Sequence, residues 1–219
     1  MKKFILPLSM MLALGLGVHA QVFRGNTVTE RTKFGIQAGM SIPYESYGNS
    51  DYYGSSSDAF VGFTGGINVE IPIRNGWYIQ PEANFSMMGG KDWGSDDDGS
   101  YRFKDALNYL HVPLLIKYKP MLQGFGVYFG PQYGYLLSAR QHYYDGVASA
   151  DIKETAVKNE FSLVFGIEYY FPSANDGPSF GIGLRGMAAL TSNLDQDKYS
   201  YAVPSIRNNA AFLTVGMRF

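Results

Sequence analysis

The chain has 219 residues, contains no cysteine and carries a formal net charge of −1 at neutral pH. This length predicts one or two domains, and the lack of cysteine excludes disulfides, thiolate metal ligands and thiol nucleophiles. The balanced charge excludes the strongly basic surface that nucleic acids require, so no nucleic-acid partner is expected. With 17 Tyr, 15 Phe and 26 Gly residues, the composition favours strands and turns over helices.

The first twenty residues have the pattern of a secretory signal peptide. Two lysines precede an apolar run that ends near Val18, and the small side chains before Gln21 suit a cleavage site between Ala20 and Gln21. The alternative is a membrane anchor, but the run is shorter than the roughly 20 residues of a spanning helix. We therefore expect a signal peptide over residues 1–20, a periplasmic segment over 21–32 and one domain over 33–219.

Eight later segments alternate apolar and polar residues, which is the period of a half-buried strand. No segment of helical period separates them, so the sheet should be antiparallel and up-and-down. The predicted strands cover about 33–42, 59–73, 77–87, 107–118, 125–138, 158–171, 179–190 and a last segment from about 207 to Phe219.

The connections between these segments alternate in length. Short turns are expected at 74–76, where Asn75-Gly76 is a strong hairpin signal, and near 120–124 and 172–178. Long loops are expected over about 43–58, 89–105, 139–157 and 191–206. Outer-membrane barrels have short periplasmic turns and long extracellular loops. We therefore predict an all-β fold, an eight-stranded antiparallel up-and-down transmembrane β-barrel, rather than a soluble barrel with its apolar face inside.

The polar faces of the strands carry charges that should point into the barrel. A base facing lipid near the midplane costs about 2–4 kcal/mol, whereas a narrow interior tolerates charges that are paired. In a soluble barrel the same residues would instead face water. The predicted lumen charge network has three acids and three bases: Glu70, Glu82, Lys117, Glu168, Arg185 and Arg218.

Aromatic residues gather near the predicted strand ends, where rings of amphipathic side chains favour the membrane interface. Packing between neighbouring strands would explain some of them equally well. The residues expected in these girdles are Trp77, Tyr78, Tyr118, Phe125, Tyr169, Tyr170, Phe171 and Phe219 at one end and Tyr101, Tyr109, Tyr143 and Tyr144 at the other.

Residues 109–118 read Tyr-Leu-His-Val-Pro-Leu-Leu-Ile-Lys-Tyr. This segment resembles a strand motif of the PorT-like outer-membrane β-barrel family of Bacteroidota, and segments 34–39, 79–82 and 128–131 are also similar to that family. His111 departs from it, since the family often has Glu there. The alternation before Phe219 looks like the C-terminal strand by which outer-membrane proteins are recognised for insertion. The resemblance implies the fold, the Gram-negative outer membrane and the barrel-assembly machinery as a partner, but no single activity.

We expect no catalytic, cofactor-binding or metal-binding residues. Only His111 and His142 follow the predicted signal peptide, and no motif joins His111 to its possible neighbours Ser86 and Ser162. The acidic run at 96–99 lacks the ligand spacing of a calcium loop. A solvated loop is the expected role of this run.

Three functions fit these features. The leading hypothesis is a non-enzymatic, monomeric barrel with a mostly closed lumen that contacts outer-membrane lipid and acts through its loops. It would be structural, adhesion-like or a subunit of an envelope machine, with an unknown surface ligand or partner. The alternatives are a narrow passive, porin-like pore and a lipid-modifying enzyme. Tyrosine favours recognition surfaces, and the predicted loops hold Tyr44, Tyr47, Tyr52, Tyr53, Tyr101, Tyr143, Tyr144, Tyr199 and Tyr201.

Overall fold

A computed structural model describes residues 31–48, 56–96, 99–120, 124–143, 149–154, 156–173, 177–193 and 205–219, with backbone alone at 93–96 and 99–101. The predicted signal peptide, its cleavage site at Ala20 and Gln21, and most of segment 21–32 lie outside these residues. The described chain contains no helix long and apolar enough to cross a membrane. The compact unit that carries the fold is Lys33–Phe219.

This unit consists of antiparallel strands. They are β1 Lys33–Tyr47, β2 Gly62–Arg74, β3 Trp77–Met88, β4 Lys91–Asp96, β5 Gly99–Tyr118, β6 Phe125–Tyr143, β7 Ala150–Asp151, β8 Asn159–Tyr170, β9 Ser179–Ala189 and β10 Ile206–Arg218.

Eight of these strands close into a barrel, which confirms the predicted fold. Around the wall the order is β3, β2, β1, β10, β9, β8, β6, β5, and β5 pairs with β3 to close the ring. A closed sheet leaves no unpaired backbone edge in lipid, which is the condition for a sheet to cross a membrane. The two remaining strands, β4 and β7, pair beside β5 and β6 beyond one end of the barrel.

The connections at one end of the barrel are short. Asn75 and Gly76 have positive φ values of 50° and 80°, as a tight turn between β2 and β3 requires, and Asn-Gly is the dipeptide that tolerates both. The long connections lie at the opposite end, where β4 and β7 also lie. By the rule for outer-membrane barrels, the short-turn end is periplasmic and the other end is extracellular.

Three of the predicted loops contain strand. Residues 91–96 and 99–104, expected in a loop, form a hairpin of β4 with the first part of β5. β6 continues to Tyr143, β7 follows in the same predicted loop, and β1 continues to Tyr47. The prediction was wrong here because strands outside lipid need no continuous apolar face. The period-two hydrophobic signal therefore disappears although the backbone pairing continues.

The apolar faces point outward, as the membrane assignment predicted. Ile67, Phe165 and Val215 are 61%, 59% and 62% exposed, and similar side chains surround the barrel. Such a surface in water would greatly exceed the apolar patches of soluble monomers. The alternating polar residues are buried inside, which excludes the soluble alternative with its apolar face turned inward.

Among the side chains that the structure describes, which do not include those of Tyr101 and Tyr144, the expected aromatic girdles are only partly present. Trp77 and Tyr118 lie on the outer surface with ring centroids 4.9 Å apart. In contrast, Tyr78 and Tyr109 are buried inside the barrel, and Tyr170 faces inward beneath the guanidinium of an arginine. These three positions share the strand parity of the inward polar residues, so their assignment to the membrane interface was wrong.

Candidate functional site

Four charged side chains form a closed ring across the periplasmic half of the barrel. Lys117 Nζ lies 3.1 Å from a Glu70 carboxylate oxygen and 2.7 Å from one of Glu168. Arg218 completes the ring, with distances of 2.9 Å to Glu70 and 2.7 Å to Glu168. We call this set the charge ring: Glu70, Arg218, Glu168 and Lys117.

The charge ring follows from the strand order. Glu70, Arg218, Glu168 and Lys117 lie on β2, β10, β8 and β5, which are every second strand of the eight-strand wall. Acid and base therefore alternate around the lumen, and each group has an opposite charge on both sides. All four side chains are almost fully buried, so this mutual pairing offsets the cost of removing them from water.

Lys119 and Gln80 extend the charge ring. Lys119, in the turn after β5, pairs its ammonium with Glu70 and lies 4.6 Å from the ring centroid of Tyr78. Burial lowers the pKa of Lys119, and the carboxylate of Glu70 opposes that shift. Gln80 accepts a hydrogen bond from Lys117. Glu70 thus contacts three cations, of which Lys117 and Arg218 belong to the predicted network and Lys119 does not.

The other two predicted charges form a separate layer further from the periplasm. The guanidinium of Arg185 lies 2.8 Å from Glu82, and the two residues come from β9 and β3 on opposite walls. Glu82 also accepts hydrogen bonds from Gln80 at 2.6 Å and Asn84 at 2.7 Å. The structure therefore divides the six predicted residues into a ring of four and a pair that crosses the lumen.

Beyond this pair the interior is tightly packed. A cavity between Gln37, Thr64, Gln132 and Arg185 has a volume of about 10 Å³, which is close to the space of a single water. Buried apolar side chains, including Leu136, fill the neighbouring space. Buried side chains thus occupy the middle of the barrel interior.

A second polar network lies in the extracellular half of the interior. The Asn193 amide donates hydrogen bonds to Glu45 at 2.6 Å and to Asn208 at 3.2 Å. Asn208 in turn donates to Glu160 at 2.7 Å, and His111 Nε2 lies 3.4 Å from the second oxygen of Glu160. We call Glu45, Asn193, Asn208, Glu160 and His111 the extracellular network.

The extracellular network was missing from the predicted site. Glu45 lies in a segment expected to be a loop, so its inward orientation had no visible pattern. The inward orientation of Glu160 could have been predicted, because Glu160 lies on the same face of β8 as Ser162 and Glu168. Lys119 lies in a turn, where alternation gives no information about direction.

The possible catalytic neighbours of His111 have other partners. Ser86 Oγ lies 3.1 Å from Thr64 Oγ1, and Ser162 Oγ accepts a hydrogen bond from Gln132. His111 itself stacks on Tyr109 with ring centroids 5.3 Å apart. Among the described residues, no group of three or more His, Asp or Glu side chains has the arrangement of a metal site. The terminal residue Phe219 is exposed, and its backbone amide donates to the carbonyl of Phe34 on β1.

Several solved outer-membrane proteins have a similar fold. A major outer membrane protein of Thermus thermophilus is 15% identical with a TM-score of 0.51, covering 87% of this chain and all of its own. Neisserial surface protein A and Ail, the attachment invasion locus protein of Yersinia pestis, are 13% and 16% identical with TM-scores of 0.48, at the same coverage. At identities this low, the comparisons show a similar fold and nothing about function. No curated protein matches the chain.

The family comparison identifies the family of the chain. The model for the outer membrane protein beta-barrel domain matches residues 15–195, well over half of the chain. This agrees with the closed barrel, the apolar outer surface and the buried charges described above. The chain is thus an outer-membrane protein of the Gram-negative type that belongs to the outer membrane protein beta-barrel domain family.

Proposed function

We propose that this protein is a non-enzymatic outer-membrane barrel whose lumen is mostly closed and which acts at its extracellular end. Its role would be structural or adhesion-like, or that of a subunit in an envelope machine. The observation that carries the proposal is the charge ring, because four mutually paired side chains occupy the cross-section that an open pore would need.

Opening the lumen would be energetically costly. Removing one partner of a buried ion pair costs about 3–5 kcal/mol, because the other charge stays buried and unpaired. Each member of the charge ring has two opposite charges from the ring beside it. The Glu82–Arg185 pair adds a second barrier above the ring, and the packed interior adds a third. A narrow passive pore would have to displace all three, so we rank it second.

The extracellular end offers the surface for a partner. β5 has 20 residues and β6 has 19, whereas a tilted strand needs only about 9–11 to cross the membrane. Together with β4 and β7 they form a four-stranded sheet that continues beyond the barrel. Side chains on paired strands are held in more defined positions than side chains on loops, which favours recognition by this sheet.

The proposal includes three finer assignments. Export would cleave the bond between Ala20 and Gln21, which removes residues 1–20 and leaves segment 21–32 in the periplasm. The last strand of the barrel would direct the protein to the assembly machinery. The protein would act as a monomer, since a closed barrel needs no partner for its sheet. The motif at 109–118 supports membership of the PorT-like group of Bacteroidota. N-terminal sequencing of protein from isolated outer membranes tests the cleavage site.

Liposome swelling tests the closed lumen. Purified protein refolded into vesicles should give no faster swelling in arabinose or glucose than empty vesicles do. A general porin at the same protein-to-lipid ratio provides the positive control. Swelling that depends on the protein and on sugar size would support the passive pore and contradict the closed lumen.

Lipid mass spectrometry tests the non-enzymatic assignment. Outer-membrane lipids from cells with and without the gene should have the same acyl and phosphate composition. A lipid species that appears only with the wild-type gene, and disappears in a His111→Ala variant, would instead support a lipid-modifying enzyme.

A further inference from the structure

A row of basic side chains crosses the outer face of the sheet that β4, β5, β6 and β7 form beyond the barrel. Lys91, Lys104 and His142 are direct cross-strand partners on β4, β5 and β6. Arg140 lies two positions below His142 on the same face, opposite Ala106. Lys153, in the connection after β7, donates its ammonium to the Leu137 carbonyl at 2.5 Å. We call Lys91, Lys104, Arg140, His142 and Lys153 the basic ladder.

The basic ladder continues the lipid-facing side of the wall. On β5 the even-numbered side chains include the exposed apolar Tyr118, Ile116 and Leu114. Further along the same face come Lys104 and then Arg102, because β5 alternates without interruption. On β6 a bulge at Leu137 shifts the alternation by one residue. After the bulge, Arg140 and His142 lie on the same outer face as Lys104.

The height of the basic ladder matches the lipid headgroups. With about 3.4 Å per residue, a tilt near 40° and an apolar band about 25 Å tall, the band centred on Leu114 ends close to Asn108. The Leu137 carbonyl that holds Lys153 lies at this edge, and Lys104 lies roughly 10 Å above it. Lys and Arg side chains are long enough to extend down from there to the interface.

Lys91 and Lys104 carry like charges at directly opposed positions. Directly opposed like charges destabilise a strand pair, and Lys91 opposes Lys104 at the short distance of cross-strand neighbours. Lys104 is partly compensated by the ring of Phe60, 3.9 Å from its ammonium. The acids that the register places beside the ladder are Asp58, opposite Lys91, and Asp151, opposite Arg140. Glu154 follows Lys153 in the same connection and is exposed. The four Lys and Arg side chains of the ladder therefore outnumber these three acids by one.

From these positions we infer that the basic ladder binds the phosphate headgroups of outer-leaflet lipid. Phosphate groups take several hydrogen bonds from Arg and Lys at once, and basic residues near a membrane attract anionic headgroups. A lipid is the ligand that fits best, because the ladder faces sideways above the apolar band rather than away from the membrane. This site is separate from the charge ring and does not depend on the proposed function.

Binding of a phosphorylated lipid in uncharged detergent tests this inference. The full chain, refolded in maltoside micelles, is titrated with a diphosphorylated glucosamine-disaccharide lipid and with its dephosphorylated form. We expect preferential binding of the phosphorylated lipid. A Lys91→Gln/Arg140→Gln variant should bind it roughly 30-fold more weakly, since each basic residue contributes about 1 kcal/mol at an anionic surface.

A matched variant separates a site from a general charge effect. Lys33→Gln/Arg74→Gln removes the same two charges from exposed positions at the short-turn end and should change the affinity less than twofold. Lys91→Gln alone should make the lipid-free protein more resistant to urea, because it removes the opposed lysine pair. Heat-modifiable gel migration verifies that every variant is folded.

Three outcomes would overturn the inference. They are equal affinity for the two lipid forms, an equal loss of affinity in both double variants, and tighter binding of soluble inositol hexakisphosphate than of the phosphorylated lipid. The last result would assign the same basic chemistry to a soluble polyanion.

Discussion

Arg185 and Glu82 join opposite walls of the barrel. Their side chains approach to 2.8 Å although β9 and β3 lie four places apart in a ring of eight strands. No backbone hydrogen bond can join strands so distant, so this ion pair ties the wall across its full width. Gln80 and Asn84 donate hydrogen bonds to the carboxylate. Among the residues that the structure describes, Arg185 is the one cation in contact with it.

Removing the charge of Glu82 should destabilise the barrel. In a Glu82→Gln variant the Arg185 guanidinium stays buried without an opposite charge, which costs about 3–5 kcal/mol. Urea unfolding in lipid vesicles, followed by gel migration, measures the change in the free energy of unfolding.

A double variant shows whether the pair itself is responsible. Glu82→Gln/Arg185→Met removes both charges and should recover most of the lost stability, since buried pairs are often replaceable together. Equal stability of Glu82→Gln and the wild-type protein would contradict this view of the pair.

Asn193 should hold the extracellular end of β1 in place. Its amide contacts Glu45 and Asn208, and Glu45 exchanges hydrogen bonds with Ser57 through its backbone. An Asn193→Ala variant loses two buried hydrogen bonds, at about 1–3 kcal/mol. Hydrogen exchange at the Glu45 and Ser57 amides should accelerate roughly 10- to 100-fold, while the membrane-spanning amides stay protected.

Asn209 provides the control for this prediction. It lies beside Asn208 on β10 but donates to Ser46 and to the carbonyl of Arg207, outside the extracellular network. Asn209→Ala should leave the exchange of the Glu45 amide within about threefold of the wild-type rate. A similar acceleration in both variants would show that the network does not hold this end.

Gly39 should tolerate no side chain. A Cβ atom there would lie 2.0 Å from the Leu213 carbonyl oxygen of the neighbouring β10, and backbone cannot move aside as a side chain can. Gly39→Ala should therefore cost more than about 2 kcal/mol or prevent insertion. At Gly126 the nearest atom would be a Glu168 oxygen at 3.3 Å, so Gly126→Ala should fold normally. Equal yields of the two folded variants would contradict the close approach at Gly39.

The hairpin of β4 and β5 should be more stable in mild acid. Tyr47 donates a 2.6 Å hydrogen bond to Asp92. Burial raises the pKa of Asp92, the hydrogen bond from Tyr47 lowers it, and the charge of Asp58 raises it further, so that the net shift is upward. Because the folded pKa is raised, stability present below the ordinary aspartate pKa is lost as pH rises through the raised value. Hydrogen exchange in β4, corrected for its intrinsic rate, should show greater protection at about pH 4 than at about pH 7.

Two variants assign this pH dependence. Asp92→Asn should reduce the difference between acidic and neutral pH without removing all of it, because burial also raises the pKa of Asp105 on β5, to about 6. Tyr47→Phe should move the Asp92 transition to higher pH by removing the hydrogen bond that favours the carboxylate. An unchanged difference in Asp92→Asn would assign the titration to another group.

The barrel was predictable because lipid imposes a simple pattern. Each crossing strand must turn apolar residues outward, so residues such as Ile67 and Phe165 reveal both the strand and its face. The Asn75-Gly76 turn and the alternating connection lengths then determine the order of the strands. Beyond the membrane this constraint ends, which is why β4 and β7 were predicted as loops.

The arrangement of the buried charges was only partly predictable. Parity placed Glu70 and Lys117 inside, but their contact depends on how far the strands shift as the sheet closes, which no short segment encodes. The extracellular network depends on Glu45 and Asn193, which lie in predicted loops and are brought together by residues far apart in sequence.

Single-channel recording in planar bilayers tests the closed lumen most directly. Wild-type protein in concentrated KCl should give no stable conductance steps across a range of voltages. A general porin in the same bilayers should give stable conductance steps and so show that the assay detects an open barrel. Stable, reproducible steps from the wild-type protein would contradict a lumen closed by Glu70, Arg218, Glu168 and Lys117.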